Sequence, residues 1–333
     1  MKEKIYYNAI NIALNSDYRK IKALKITSWE DAWLSIKKDF PNIDPEKEFG
    51  KLDTAGIKLV LSEEENFPEN LKEMPWPPLA IYIQGSLVPA RSIAIVGTRK
   101  VTAHGKSLAK KLAKELSEAG IQIVSGLAMG VDESAHNGTL DDNGKTIAVL
   151  PTGLGNIYPR QNHALSQKII ASGGALISEF HFNYRPYAAS FIQRNRIVSA
   201  LSLATIVIEA PERSGALATA RFAIEQNREV LVVPGPADHP NYKGSHKLIR
   251  EGAGLVTCAG EILEDLGIEN KEPASVAGHI KTNTITGEEK IVLEAINRLG
   301  WPVSVDKISE ATKIQVQKAN QIIAFLTIKG ILK

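Results

Sequence analysis

The chain has 333 residues, of which 44% are hydrophobic and 23% charged, so it can bury a large core and is not disordered in bulk. Its length suits two domains of about 150 residues each. The one cysteine, Cys258, excludes an internal disulfide and is typical of a reducing cytosol; we expect it to be a small buried side chain. A net charge of +3 is too small to indicate a polyanion partner unless basic residues cluster locally.

The amino-terminal sequence lacks the apolar segment of a signal peptide, and no apolar run reaches the length of a membrane span. We therefore expect a cytoplasmic protein without membrane contact. Apolar residues at helical spacing, such as Ile10, Leu14 and Trp33, predict a small helical domain over residues 1–75. Residues 1–90 contain 12 basic and 14 acidic side chains, a net charge of −2, which makes them a poor candidate for the main polyanion surface.

Residues 76–268 alternate between predicted strands and helices and are predicted to form the central domain. Leu79–Ile83 is predicted as an edge strand that leads into it. A βαβ unit follows, with strands at Ile93–Val96 and Ile121–Val124 and a helix at Lys106–Ala119 between them. Further strands are predicted at Thr146–Leu150, Ala175–Ser178, Ala204–Glu209, Glu229–Val233 and Leu255–Thr257. Alternation of this length predicts an α/β fold with a doubly wound, mostly parallel sheet.

The carboxyl-terminal part is predicted to be a separate module. Residues 269–284 contain few large apolar side chains and are predicted to be a linker. Three short helical stripes in residues 285–333 predict a winged-helix-like domain, a class that binds DNA or partner proteins. The sequence after the third stripe is short, so we expect little room for a wing.

Several cofactor motifs are missing from the central domain. A dinucleotide site needs G-x-G-x-x-G after the first strand, but the turn after Val96 contains Gly97, Thr98, Arg99 and Lys100. The phosphate loop G-x-x-x-x-G-K-[ST] does not occur, and the seven histidines lack metal-ligand spacing. We interpret His136 as a capping or packing residue. The sequence predicts no cofactor, no metal and no catalytic residue.

Anion-binding groups are concentrated where the predicted strands end. Glycine turns offer backbone amides, hydroxyls complement them, and an arginine there can hold a phosphate through two hydrogen bonds. The candidate residues are Gly97, Thr98 and Arg99 after the first strand, Ser125, Gly126 and Gly130 after the second, and Ser214, Gly215 and Thr219 at a predicted helix start. The alternative is that the glycines only permit tight turns.

A second informative stretch, residues 178–196, interleaves aromatic rings with arginines. Rings that stack on bases and arginines that hold phosphates are typical of single-strand binding without sequence preference. Phe182, Tyr187 and Phe191 are the candidate stacking residues, and Arg194, Asn195 and Arg196 the candidate phosphate ligands. Alternatively, half of the rings belong to the core and the arginines pair with Glu179 and Glu209. We expect unequal roles for the two arginines, one bracing the loop and one meeting phosphate.

A series of different short motifs extends through most of residues 91–253. They are Ile95–Arg99, Ser125–Asp132, Ala135-His136, Tyr158-Pro159 with Asn162, Ser178-Glu179, Arg194–Ile197, Glu209-Ala210, Ser214-Gly215, Thr219-Ala220, Pro234-Gly235 and Leu248-Ile249 with Gly252-Ala253. In order and spacing they resemble the signature of the DprA (Smf) family. The chain departs from the usual family residues at His104, Asn156, Ile192 and His246, which affects the pocket outline more than its glycines and arginines.

The resemblance implies an extended Rossmann fold, with a helical domain before it and a winged-helix-like domain after it. It implies a non-enzymatic protein that binds single-stranded DNA, protects it and loads the RecA recombinase in natural transformation and recombination. It also implies a homodimer formed through the Rossmann domain. Lys247, beside the last motif, completes the candidate DNA-binding residues.

Two other classes of function stay open. Phosphoribohydrolases with related sheets carry a Gly-Gly-x-Gly-Thr-x-x-Glu loop, and Phe222 stands at the position of its catalytic acid here, which argues against hydrolysis. The second class is a sensor whose sheet edge binds a single nucleotide.

Overall fold

The fold is that of a computed structural model, which describes residues 1–24, 27–268, 287–299 and 303–328. The chain divides into two compact units, Met1–Pro273 and Ala274–Lys333. The predicted linker, residues 269–284, lies outside the described residues. Within the described ranges, every helix is too short or too polar to cross a membrane.

A sheet of nine strands, counted over the described residues, forms the centre of the first unit. The strands are β1 (Ile57–Leu61), β2 (Ala80–Gly85), β3 (Ser92–Val96), β4 (Gln122–Ser125), β5 (Thr146–Val149), β6 (Ala175–Ser178), β7 (Ala204–Val207), β8 (Glu229–Val232) and β9 (Gly254–Leu255). Their order is β1-β2-β6-β5-β4-β3-β7-β8-β9. Strand β2 pairs antiparallel with both of its neighbours, β1 and β6, and the other pairs of neighbouring strands in this sheet are parallel. The prediction of a doubly wound, mostly parallel α/β sheet is confirmed.

Twelve helices accompany this sheet in the described part of the first unit. They are α1 (Lys2–Ala13), α2 (Tyr18–Ala23), α3 (Trp29–Ile36), α4 (Pro45–Thr54), α5 (Glu69–Lys72), α6 (Ala103–Glu118), α7 (Val131–Asp141), α8 (His163–Ala171), α9 (Ala188–Ala200), α10 (Gly215–Glu225), α11 (Lys243–Arg250) and α12 (Ala259–Asp265). Cys258, which we expected to be buried, is exposed because it precedes the first turn of α12 at the surface.

The central strand β3 is buried along its whole length. Ala94 and Val96 belong to the core on one face of the sheet, and Ile93 and Ile95 to the core on the other. Helices cover both faces, so a continuous apolar run replaces the polar alternation of a half-exposed strand. The buried strand ends at Val96, and the turn that begins at Gly97 follows it directly.

The amino-terminal helices pack on the same sheet. Tyr7 of α1 shares a buried cluster with Tyr82 of β2. The Tyr82 hydroxyl donates to Asn8 Oδ1 and accepts from Asn11 Nδ2, both at 3.0 Å. These contacts satisfy polar groups that would otherwise be buried at a cost. The predicted boundary at residue 75 therefore falls within one compact unit, and the division into domains stays a prediction.

The prediction that Leu79–Ile83 forms an edge strand is wrong. β1 pairs with β2 from Ile57 opposite Gln84 to Leu61 opposite Ala80. This antiparallel partner covers the outer edge of β2, and β1 becomes the edge of the sheet. The sequence showed β1 only as apolar residues at the end of the helical region, where nothing local indicated its partner.

The second unit contains the three helices that the sequence predicted, α13 (Gly287–Leu299), α14 (Val305–Thr312) and α15 (Val316–Ile328). They enclose a small core that includes Val292, Ile308 and Leu326. Residues 329–333 lie outside the described ranges, so the winged-helix-like class stays a prediction.

Candidate functional site

A cavity of about 320 Å³ opens at the carboxyl ends of the central strands. Strands β3 and β7 are neighbours, but the chain continues from β3 to β4 on one side of this pair and from β7 to β8 on the other. Open α/β sheets bind ligands at such a switch point. The lining residues are Val96, Gly97, Thr98, Arg99, Lys100, Gly126, Ala128, Asp132, Phe191, Ile192, Arg194, Asn195, Val198, Pro211, Arg213, Ser214, Gly215, Ala216 and Thr219. We call this space the switch-point cavity.

The cavity brings together most of the residues predicted from the sequence. The predicted residues that line it are Gly97, Thr98, Arg99, Gly126, Phe191, Arg194, Asn195, Ser214, Gly215 and Thr219. They come from four separate segments of the chain. Their common position supports the interpretation of these turns as parts of one site.

The lining is strongly cationic. Arg99, Lys100, Arg194 and Arg213 line the cavity, and the acidic residue among the lining residues is Asp132. Arg99, Lys100 and Arg213 are exposed, and their side chains form no ion pair within the described residues. A concave surface with this excess of positive charge attracts anions.

Arg194 places a fixed charge in the wall of the cavity. Its side chain is only 4% exposed. Nη1 donates to the Gly126 carbonyl at 2.5 Å and also to the Val149 carbonyl, and Nε donates to Asn195 Oδ1 at 3.1 Å. Burial lowers the pKa of Arg194 to about 10, with Asp132 opposing the shift and Arg99 reinforcing it. Arg194 therefore stays charged at neutral pH and is held in one orientation.

Gly126 and Asp132 shape the loop after β4. A Cβ atom on Gly126 would lie 2.4 Å from Arg194 Nη1, so only glycine lets the guanidinium lie against this backbone. Asp132 accepts hydrogen bonds from the amides of Gly126 at 3.1 Å and Ala128 at 3.3 Å. The pKa of Asp132 is raised, because the effect of burial outweighs the opposing effects of Arg194 and these amides. Its role is to close the loop on which Arg194 rests.

The amino terminus of α10 points its first turn at the cavity. Ser214 caps this helix, with Oγ accepting from the Ala216 amide at 3.2 Å. Asn195 Nδ2 donates to the Gly215 carbonyl at 3.2 Å and ties α9 to the same turn. Unpaired amides and the helix dipole make such a terminus favourable for a phosphate.

Arg99 lies over an aromatic ring at the mouth of the cavity. Its guanidinium carbon is 4.9 Å from the centre of the Phe191 ring. The edge of Phe191 in turn meets Tyr158, with ring centres 5.5 Å apart. Phe191, a predicted base-stacking residue, therefore supports an arginine through a cation–π contact in this structure.

Glu209 joins three loops behind the cavity. Its buried carboxylate accepts hydrogen bonds from the Thr102 amide and hydroxyl, Asn241 Nδ2 and the Tyr242 hydroxyl, at 2.5–3.1 Å. Burial raises its pKa, but these donors outweigh burial and lower it. The alternative reading that an arginine pairs with Glu209 is wrong, because neutral donors occupy both oxygens.

Two predicted residues act beneath the cavity and do not line it. The Ser125 hydroxyl is fully buried and donates to the Ile95 carbonyl at 2.6 Å, so it joins neighbouring strands. Gly130 has a φ of +87°, and a Cβ there would lie 2.5 Å from the Thr98 carbonyl oxygen. Glycine at this position lets the loops after β3 and β4 approach each other.

Four further predicted residues lie away from the cavity. Arg196 is 2% exposed and pairs with Glu179 through two hydrogen bonds of 2.9 and 2.7 Å. The Lys247 ammonium lies 3.7 Å from Glu251 on the surface of α11. Phe182 packs over Gly155, and the exposed Tyr187 contacts the edge of Tyr184.

Sequence reasoning missed Lys100, Arg213 and the loop-closing role of Asp132. Lys100 follows Arg99 directly, and Arg213 directly precedes the Ser214-Gly215 turn. Their position next to a predicted anion-binding turn is the sequence signal that could have identified both cations. Asp132 lies in the first turn of α7, and only the fold shows that its carboxylate accepts a hydrogen bond from the loop before that helix.

The fold and the cavity define an α/β protein with a cationic site at the switch point of a Rossmann-like sheet. The sequence profile of the family DNA recombination-mediator protein A matches residues 58–267, more than half of the chain. The chain therefore belongs to this family, whose members carry the names DprA and Smf.

The similarity extends to proteins from several bacteria. Protein Smf of Escherichia coli K12 is 41% identical over 229 residues, covering 68% of this chain and 61% of that protein. DNA processing protein DprA of Bacillus subtilis 168 is 39% identical over 218 residues, covering 65% of this chain and 73% of that protein. This chain thus spans about three fifths of the length of the E. coli relative.

Two solved structures share the fold. DprA from Streptococcus pneumoniae aligns with a TM-score of 0.63 at 29% identity, covering 79% of this chain and 93% of that one. DprA from Helicobacter pylori, described with its single-stranded DNA binding mode, aligns with a TM-score of 0.57 at 31% identity. It covers 63% of this chain and 95% of the H. pylori chain.

Proposed function

We propose that this protein binds single-stranded DNA in the switch-point cavity, where Arg99, Lys100, Arg194 and Arg213 contact backbone phosphates. The observation that carries the proposal is the convergence of these four cations and the amino terminus of α10, with Asp132 as the acid among the lining residues. The single-stranded DNA binding mode described for the H. pylori relative supports the choice of ligand.

We further propose that the protein protects single-stranded DNA and loads the RecA recombinase during natural transformation and recombination. In this role it acts in the cytoplasm as a homodimer and catalyses no reaction of its own. The family description as a recombination mediator and the relatives named for DNA processing support this role.

A sensor that binds one nucleotide is the second candidate function. The cavity volume of about 320 Å³ lies in the range of small-ligand pockets, which favours this alternative. A phosphoribohydrolase has less support, because Phe222 stands where that class has its acid and does not line the cavity. A single nucleotide that competes as well as a long oligonucleotide would favour the sensor.

The test measures the affinity of labelled single-stranded and double-stranded oligonucleotides for the wild type and for Arg99→Ala. We expect preference for the single strand, and a loss on substitution of about 1.5–3 kcal/mol, as for a charge-assisted hydrogen bond. Arg99 is exposed, so folding should be unaffected.

Arg91→Ala is the matched control. Arg91 is also an exposed arginine, but it precedes β3, at the opposite end of the strand from the cavity. Unchanged affinity in folded Arg99→Ala, or equal losses in the two variants, would sink the assignment of the cavity.

A further inference from the structure

A second groove, of about 770 Å³, lies beside the switch-point cavity. It runs between the turn before α2 and one face of α9, and Trp76 stands at its side. The residues that matter for its chemistry are Tyr18, Arg19, Lys22, Trp76, Tyr184 and Ile192. We call it the Trp76 groove.

Helix α9 is the wall shared by the two spaces. Phe191, Arg194, Asn195 and Val198 line the switch-point cavity, at the spacing i, i+3, i+4, i+7 of one helical face. Ala189, Ile192, Gln193 and Arg196 line the Trp76 groove at the same spacing, displaced by two positions along the helix. Ile192 lines both spaces and is 54% exposed. A chain lying in the cavity can therefore pass over Ile192 into the groove.

Trp76 is held out to solvent by its backbone. The indole side chain is 60% exposed, and the residue has a φ of +62° between Pro75 and Pro77. This left-handed conformation is strained for a bulky residue and persists only where its surroundings impose it. The exposed indole ring of Trp76 lies outside the core and is therefore available to stack on a ligand.

The groove combines rings with cations. Lys22 lies 5.5 Å from the centre of the Tyr18 ring, and Tyr184 is half-buried. Asp17 is the acid among the lining residues, and it lies 3.8 Å from Lys20. Arg19 and Lys22 form no ion pair within the described ranges and supply the excess positive charge. The net charge of −2 over residues 1–90 thus conceals a local cationic face.

We propose that the Trp76 groove holds the continuation of a single-stranded nucleic acid bound in the switch-point cavity. Trp76 stacks on a base, and Arg19 and Lys22 contact the phosphates that follow. Rings beside cations along a backbone path are how single strands are bound without sequence readout. The proposal rests on the proposed function and extends its site beyond α9.

The test is a length series of oligothymidylates, from the dinucleotide to about 16 nucleotides, which spans the common site sizes. Trp76→Ala should weaken binding of the longest member about tenfold, the loss of one base stack, and leave the dinucleotide unchanged. Trp76→Phe should retain most of the affinity. Replacing Arg19 and Lys22 by Gln should lower the salt slope for the longest member by about 0.7 per cation.

Matched controls come from the same helical region. Leu34→Ala removes an exposed apolar side chain outside both spaces, and Lys37→Gln with Lys38→Gln removes two exposed lysines. A Trp76→Ala length series that matches the wild type overturns the proposal, and so does an equal loss for the dinucleotide. Failure of the proposed function looks different, since Arg99→Ala would then affect no length.

Discussion

His136 is a fully buried histidine beside the site, held in its neutral form. Its Nδ1 lies 2.8 Å from the Thr146 hydroxyl, which itself donates to the Ile123 carbonyl at 2.7 Å. The hydroxyl therefore accepts from His136, so the proton sits on Nδ1, and Nε2 has no partner among the described residues. Burial lowers the pKa of His136 to about 3, and the charge of Arg194 adds to this shift.

This geometry predicts a pH dependence of stability. The unfolded chain binds a proton at His136 below its ordinary pKa of 6.5, and the folded protein does so only near 3. The stabilising contribution is therefore complete above about pH 6.5 and is lost as the pH falls towards 3, on the order of 5 kcal/mol in full.

The measurement is urea unfolding of the wild type and His136→Asn between neutral and mildly acidic pH. Asparagine can still donate to Thr146 but does not titrate. We expect the unfolding free energy of the variant to depend less on pH. The remaining pH dependence comes partly from His181, because burial lowers its pKa to about 4. Parallel profiles would contradict the assignment.

At the scale of elements, α9 explains why Arg194 and Arg196 differ. Residues two apart lie on different faces of a helix. Arg194 faces the switch-point cavity, and Arg196 pairs with Glu179 on the other face. The hypothesis of unequal roles is consistent with this geometry. Arg194 is itself buried and donates to two backbone carbonyls, so we expect it to contribute to stability as well.

The buried pair predicts a specific stability pattern. Arg196→Met strands the Glu179 carboxylate and should cost about 3–5 kcal/mol of unfolding free energy. Glu179→Met together with Arg196→Met removes both charges and should recover most of that loss.

Denaturant unfolding and single-strand affinity should be measured side by side. We expect the folded double variant to bind a dinucleotide like the wild type, since neither residue lines the switch-point cavity. The dinucleotide is the probe because Arg196 lines the Trp76 groove, which a longer strand would enter. A double variant as unstable as Arg196→Met would show that the pair contributes more than charge balance.

At the scale of the whole molecule, the net charge of +3 is nearly neutral, yet four cations meet in one cavity. Binding should therefore depend on salt through this cavity. For single strands the slope of log affinity against log salt is about −0.7 per neutralised phosphate, so four contacts give about −3. If the site contacts phosphates and stacks on bases, as we propose, affinity should vary little with sequence.

Titration of several unrelated single strands at a series of salt concentrations checks both expectations. A flat salt response is incompatible with the cavity as the phosphate site. A strong preference for one duplex sequence would instead direct attention to α13–α15, whose predicted class includes DNA-binding modules.

The sequence by itself determined the class of fold and the sheet edge at which the candidate site lies. The runs Ile93–Val96 and Ile121–Val124 are largely apolar and lead into the turns at Gly97 and Ser125-Gly126, so burial on both faces and a turn at the carboxyl end could be predicted locally. Parallel strands then place these turns at one edge. Gly97 and Gly126 were found in this way, whereas Gly215 was found at a predicted helix start.

Only the tertiary structure decided which polar side chains face the cavity. Arg194 and Gly126 are 68 residues apart, and Arg196 and Glu179 are 17 apart across a loop, so their partners follow from packing and not from spacing. The sequence likewise could not place β1 against β2, or show that Lys247 lies outside the lining of the switch-point cavity. Periodicity reports how a segment folds locally, whereas the burial and pairing of a charge depend on which distant segment packs against it.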